Sequence, residues 1–216
     1  MTARTDDRDR AALAREVGCA ALVDAMGRIH DHRAHLLPFT SPDPTRALFG
    51  PAATIAYLPY RADLPQTDFA HLFYRALGTD PEGRVLVLSS GGYPEASHGG
   101  GIKLSRGEHQ RIAGVLADGR LRDFDELAGY GFATWCRGEA TRWGGGTAMP
   151  FAADVAVEIG GVTVVPGDYI YADASGAVVI PAASIDQVLA EARVVADEDA
   201  RAIEQVREER PERFRG

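Results

Sequence analysis

Between positions 91 and 103 the chain reads GGYPEASHGGGIK, five glycines around Glu95, His98 and Lys103. A carboxylate, an imidazole and an ammonium in one short stretch can exchange protons, ligate a metal or meet a bound anion. Residues of these types also stand on many solvated loops that only have to bend. Lys103 would serve as a Schiff-base amine only if burial lowered its pKa. Where a glycine-rich loop runs into a helix, its bare first-turn amides suit a carboxylate or phosphate. The stretch carries neither G-x-G-x-x-G nor G-x-x-x-x-G-K-[ST], which sets it apart from the dinucleotide fingerprint and the P-loop.

A second group lies in DGRLRDFDEL, residues 118–127, directly after the short apolar run GVLAD. Arg122 and Asp123 are adjacent and opposite in charge, as in a turn that pairs its own charges. At the carboxyl end of a buried strand, where α/β sheets place ligands, such a pair has another use. The Arg can grip a substrate carboxylate in bidentate fashion while the Asp holds a hard cation. Asp118 and Asp125 offer the same chemistry nearby. A third glycine-rich segment, RWGGGTAMP at 142–150, brings Trp143 as a candidate pocket wall or simply makes a connection.

The elements that must position these groups are legible in outline. Residues 8–29 have helical spacing, with Leu13, Val17, Ala20 and Ala21 on one face. ATIAYLPY reads as a strand, QTDFAHLFYRAL as a helix and DPEG as a turn. RVLVL and GVLAD are short, nearly all-apolar strands of the kind buried on both faces, with a helix beginning near Ile102 between them. From Val155 the pattern becomes hairpins, with turns at Gly160-Gly161, Pro166-Gly167 and Ser175-Gly176. A helix from about Ala182, with Ile185, Val188, Leu189 and Ala192 on one face, runs into a charged tail. Strand–helix alternation followed by hairpins predicts mixed α/β layers around one core, a single domain over 1–216.

Composition narrows the function. The 216 residues are 45% hydrophobic and 25% charged, ordinary for a soluble globular protein. A net charge of −8 argues against a nucleic-acid surface, which needs clustered Lys and Arg. No apolar run approaches the roughly 20 residues that span a bilayer, and the charged N-terminus does not resemble a signal peptide. Cys19 and Cys136 form no ligand or disulfide pattern, so both thiols are expected reduced and the protein cytoplasmic.

Taken in order, LVDAMGR, FGPAATI, GRVLVL, HGGGIK, GVLADGRLRD and VTVVPGDYIYADASGAVVIP resemble one known family. It contains the regulator of ribonuclease E activity A and the metal-dependent 4-hydroxy-4-methyl-2-oxoglutarate aldolases. DGRLRD and VVPGDYIYADASGAVVIP are the most specific segments, and the resemblance covers most of the chain. It implies a three-layer swivelling β/β/α domain with an N-terminal helix over 1–30 and a C-terminal helix and arm over 182–216. It also implies a homotrimer or dimer of trimers with sites between subunits.

By position, the resemblance places the pyruvate carboxylate and oxo group on Arg122, Mg²⁺ or Mn²⁺ on Asp123, and the other side of the pyruvate on the backbone of Gly101, Ile102, Lys103 and Leu104. Carbon–carbon cleavage beside a 2-oxo acid leaves an enolate, whose charge an Arg and a divalent cation offset as it forms. Aldol cleavage and oxaloacetate decarboxylation then differ only in the leaving fragment. The family commonly has an acidic residue at the position of Gly101; its absence, with Lys103, Glu95 and His98 close by, points to a specialised distal half of the substrate. One acid of Asp197, Glu198, Asp199 and Glu204 is expected near a neighbouring subunit's site. The alternative is a non-catalytic regulator that binds a ribonuclease. No glycine motif for S-adenosylmethionine follows a first strand, so methyl transfer is not indicated.

Overall fold

Val85–Leu88 (β3) and Gly114–Ala117 (β5) are buried along their whole length, the signature of strands covered on both faces. Side-chain alternation divides β3: Leu86 and Leu88 face one core cluster, Val85 and Val87 another. The structure, a computed structural model, describes residues 2–210, with side chains from residue 6 onward. Residues 211–216, the end of the expected arm, lie outside the described residues.

Around these two strands runs a mixed eight-stranded sheet. Its parallel half contains Leu48–Pro59 (β2), β3, β5 and Ala133–Cys136 (β7), side by side in that order. The antiparallel half continues from β2 to Tyr169–Asp173 (β11), Gly176–Ile180 (β12) and His35–Leu36 (β1). Ala148–Ala153 (β8) also pairs with β2. Val157–Ile159 (β9) and Val162–Val164 (β10) form a separate hairpin about Gly160-Gly161.

Three helices, Phe69–Leu77 (α2), Gly101–Gln110 (α3) and Phe124–Gly129 (α4), cover the outer face of the parallel half. Phe69, Leu72, Phe73 and Leu77 anchor α2, each large apolar side chain contributing about 1.5–3 kcal/mol on burial. Thr2–Ile29 (α1) and Ile185–Arg207 (α5) pack against each other over the antiparallel half. The inner faces of both halves and the β9–β10 hairpin share the third cluster. This is a mixed α/β fold of three layers, as expected.

Several boundaries differ from the sequence reading. The helix expected over 8–29 is broken at Gly18 (φ 77°), a backbone conformation that favours glycine. The break shifts the helical phase, so Ala20 is exposed while Ala21, Leu22 and Ala25 are buried. β2 begins five residues before ATIAYLPY, at Leu48, because β11 pairs with its first residues Leu48–Pro51. Pro166-Gly167 is a turn but not a hairpin: β11 leaves β10 to pair with β2 and β12. β8 occupies a segment expected to be loop. α5 starts at Ile185, and its expected face is buried as predicted. Among the described residues no helix is long and apolar enough to cross a membrane.

Candidate active site

Both chemistry-bearing loops leave the carboxyl edges of neighbouring parallel strands. The first runs from β3 to Ser97–Gly99 (β4) and α3, the second from β5 to Arg120–Leu121 (β6) and α4. β4 and β6 pair in parallel, Ser97 opposite Arg120 and Gly99 opposite Leu121, so the two loops are held as one platform. His98 falls in the irregularity between those pairs. Its ring is buried, with Nδ1 2.9 Å from the Ala96 carbonyl oxygen and Nε2 2.8 Å from that of Ser90. Burial pushes its pKa down, against the opposing pull of the two carbonyls and Asp118. Held between these two carbonyl oxygens, with one N–H to give as a neutral imidazole, His98 braces the loop. Tyr57 donates to its carbonyl oxygen at 3.0 Å.

Asp123 begins α4 in the left-handed conformation (φ 63°), which Asp tolerates better than most residues. Its side chain does not cap α4; Glu139 accepts the Phe124 N–H instead, at 3.0 Å. Asp123 Oδ2 accepts the Gly101 N–H at 2.9 Å, at the start of α3. A β-carbon on Gly100 would come within 2.5 Å of the same oxygen, so the approach requires a bare backbone there. Arg122 donates its N–H to the Gly99 carbonyl oxygen, while its guanidinium has no ion-pair partner among the described residues.

The expected cradle is narrower than four amides. The Gly101 N–H is taken by Asp123 and the Leu104 N–H by the Gly100 carbonyl oxygen. Ile102 and Lys103 keep first-turn N–H groups with no acceptor among the described residues. Arg122, Asp123, Ile102, Lys103 and Trp143 line one small cavity together with the Gly99–Gly100 backbone. Partial loss of water, then the neighbouring Arg122, lower the pKa of Lys103, an exposed residue whose Nζ stands 5.3 Å from the Phe69 ring centroid. Two cations without ion-pair partners face the same opening.

Past Ser97, Lys103 and Trp143 the cavity adjoins a larger cleft of about 520 Å³ bounded by Tyr57, Tyr60, Gln66 and Met149. The sequence reading picked out Trp143 but not Ser97, Tyr57, Tyr60 or Gln66. Only the fold of β2, the loop after it and β4 brings these four to the cleft.

Other candidates lie elsewhere. Glu95 is exposed and pairs with Arg120 at 2.7 Å. Asp118 is buried against Arg137, its Oδ1 accepting from Nε and Nη2 at 3.0 and 2.7 Å. Asp125 is exposed on the first turn of α4. Glu198 pairs with Arg28 and Glu204 with Arg207, while Asp197 and Asp199 are exposed on the same helix. All four acids belong to α5, which packs with α1 over the antiparallel half. Cys19 and Cys136 are free and buried, and burial pushes their thiols up to about 12 and about 11.

Two further residues, Glu126 and Tyr130, went unnoticed in the sequence. Tyr130 Oη lies 2.8 Å from Glu126 Oε1 and 3.0 Å from the Gly101 carbonyl oxygen. Their i,i+4 spacing in DELAGY was the available signal. Burial, then Glu126, push the Tyr130 phenol up to about 12.

Among the described residues no three His, Cys, Asp or Glu side chains gather as a metal cage. Among the described residues the lining of the small cavity offers one carboxylate, Asp123, and no His or Cys. It fits Mg²⁺ or a similar hard cation, which one or two carboxylates hold while other oxygens complete the shell.

Comparison with known proteins gives the family and the fold. Residues 19–179 match the RraA-like family, described as Aldolase/RraA. A Burkholderia mallei protein provisionally named a 4-hydroxy-4-methyl-2-oxoglutarate aldolase is 34% identical over 139 residues, 62% of this chain and 75% of its own. An uncharacterized Pseudomonas syringae pv. tomato protein has a similar structure, with TM-score 0.79 and 26% identity over 94% of this chain and 90% of its own. Streptomyces coelicolor RraAS2, described as an unusual member of the RNase ES inhibitor RraA protein family, superposes with TM-score 0.77 and 26% identity, covering 91% of this chain and 96% of its own. The chain belongs to the RraA-like family.

Proposed function

We propose that this protein is a divalent-metal-dependent carbon–carbon lyase, an aldolase or decarboxylase, acting on a 2-oxo acid through a pyruvate-type enolate. One observation carries the reading: Arg122, without an ion-pair partner among the described residues, shares a cavity with the Asp123 carboxylate and the start of α3, where two amides have no acceptor among those residues. That set matches a planar 2-oxo carboxylate. The guanidinium takes two oxygens side by side, and the Ile102 and Lys103 N–H groups take an oxygen from the other edge. The aldolase name of the Burkholderia relative supports the same chemistry.

Asp123 is the residue that would hold Mg²⁺ or Mn²⁺. A bound divalent cation supplies positive charge against the oxygens on which the enolate develops, a contribution worth roughly several kcal/mol. Arg122 adds a second fixed charge in the same cavity. The adjoining cleft gives the substrate's distal half room beyond that of oxaloacetate, which supports a specialised 2-oxo acid. Exposed Ile102 and Trp143 beside the opening, 83% and 70% accessible in one chain, support a homotrimer or dimer of trimers with its sites at the contacts.

The test couples pyruvate release to lactate dehydrogenase, with oxaloacetate and a panel of 4-hydroxy-2-oxo acids, in Mg²⁺ or in EDTA. Metal-dependent release that disappears in Arg122→Ala is the expected result. Release indifferent to chelation, or undiminished in R122A, would sink the reading. The Streptomyces neighbour's description favours a second reading, a non-catalytic ribonuclease inhibitor. A ribonuclease retained on immobilised protein, together with no turnover of any 2-oxo acid, would favour it.

A further inference from the structure

Glu126 is held in a way that the lyase reading leaves unused. Tyr130 Oη stands within hydrogen-bond distance of Glu126 Oε1 (2.8 Å) and the Gly101 carbonyl oxygen (3.0 Å), yet a phenol has one hydrogen to give. With Glu126 as carboxylate, Tyr130 donates to Oε1 in a charge-assisted bond. With Glu126 protonated, the carboxyl donates to Tyr130 and Tyr130 donates to Gly101. The carboxyl therefore keeps a partner in both proton states, and reversing one hydroxyl exchanges them.

The other oxygen, Oε2, has no donor among the described residues and lies where a β-carbon on Gly101 would be. Gly101 thus stands between two carboxylates: its N–H goes to Asp123, and its side-chain space is filled by Glu126. The next residue along α3, Ile102, carries the first free amide of the cradle. On the 2-oxo acid reading, that carboxylate oxygen stands one residue along α3 from the proposed cradle.

We propose that Glu126 moves the proton in the lyase reaction, with Tyr130 as its positioning residue; this inference rests on the 2-oxo acid reading. In aldol cleavage Oε2 takes the proton of the substrate's 4-hydroxyl. The O–H electrons become the new C=O bond, the C3–C4 bond breaks, and its electron pair enters the enolate. The carboxylic acid then gives the same proton to C3, forming the methyl group of pyruvate and restoring the carboxylate. Atoms and electrons balance without a redox partner. In oxaloacetate decarboxylation no proton need be removed for the bond to break, and Glu126, recharged from solvent, serves only at the last step.

The difference gives the test. Exchange of pyruvate methyl hydrogens for deuterium, followed by NMR in D₂O with Mg²⁺, isolates proton transfer at C3. The same preparations are assayed for oxaloacetate decarboxylation. Glu126→Gln, which keeps the shape and can still accept from Tyr130, is expected to slow exchange by roughly 100-fold or more. Its ratio of exchange to decarboxylation should fall at least about tenfold. Tyr130→Phe should lower exchange and displace its pH profile, whereas R122A should depress both activities in parallel. Gly101→Ala, which pushes Glu126 away without changing its chemistry, should resemble E126Q. Folding of each variant is verified by its melting temperature. Wild-type exchange in E126Q, or an unchanged ratio, overturns the inference alone. Absence of both activities in the wild type overturns it together with the lyase reading.

Discussion

Asp123 opens α4 but gives its carboxylate to Gly101, 2.9 Å away at the start of α3. One side chain therefore joins the two loops that carry the site, and its two roles separate by substitution. Asp123→Asn keeps an oxygen for the Gly101 N–H and should change stability by less than about 0.5 kcal/mol. Asp123→Ala leaves the Gly101 N–H without its acceptor and should cost about 1 kcal/mol. Both should abolish Mn²⁺ binding followed by electron paramagnetic resonance. Retained Mn²⁺ affinity in either variant would place the cation elsewhere.

Arg122→Lys tests whether two fixed donors are needed or only a charge. Lys presents a compact ammonium in place of a planar fork. The variant should lose about tenfold or more in kcat/KM, most of it in KM, because uniform binding of the carboxylate is what it weakens. Kinetics equal to the wild type would mean that Arg122 acts only through its charge.

Lys103 supplies the pH dependence. Its ammonium is held below the usual lysine pKa, first by partial loss of water and then by Arg122. A group with a lowered pKa loses its charge earlier as pH rises, so an anionic substrate should bind less well on that limb. KM should climb at a pH below the ordinary lysine value of about 10.4, and Lys103→Met should remove the climb. A flat KM in the wild type across the alkaline range would show that Lys103 does not meet the substrate.

The buried pair behind the site governs stability. Asp118 accepts from Arg137 at 2.7 Å, with side chains 6% and 18% exposed, and the Arg137 guanidinium lies over Phe39. Asp118→Ala leaves that guanidinium without its partner and should cost about 3 kcal/mol in urea unfolding. A loss below about 1 kcal/mol would mean that water reaches the pair freely.

How much of this was legible in the sequence depended on whether a signal was local. RVLVL and GVLAD announced buried strands because nothing polar interrupts them, and DGRLRD placed Arg122 and Asp123 at the strand's end. The helix break at Gly18 was missed because one glycine inside a periodic pattern leaves the pattern readable while shifting its phase. β8 was missed because its glycine-rich approach reads as loop and only its partner, β2, makes it a strand. His98 read as an acid–base group, a metal ligand or a surface residue, since no local feature shows two carbonyl oxygens folding back on its ring. Glu126 and Tyr130 went unnoticed because their meaning comes from Gly101, 25 positions upstream of Glu126 and brought to it by the pairing of β4 with β6 and the Asp123–Gly101 bond.

The central claim is an enolate site formed by Arg122, Asp123 and the first turn of α3. Oxalate, a planar dianion, imitates the pyruvate enolate, so calorimetric titration of oxalate into the Mg²⁺-loaded protein tests that claim most directly. The account predicts binding that needs the cation and is lost in both R122A and D123N. Oxalate binding that survives EDTA, or that R122A leaves unchanged, would contradict it.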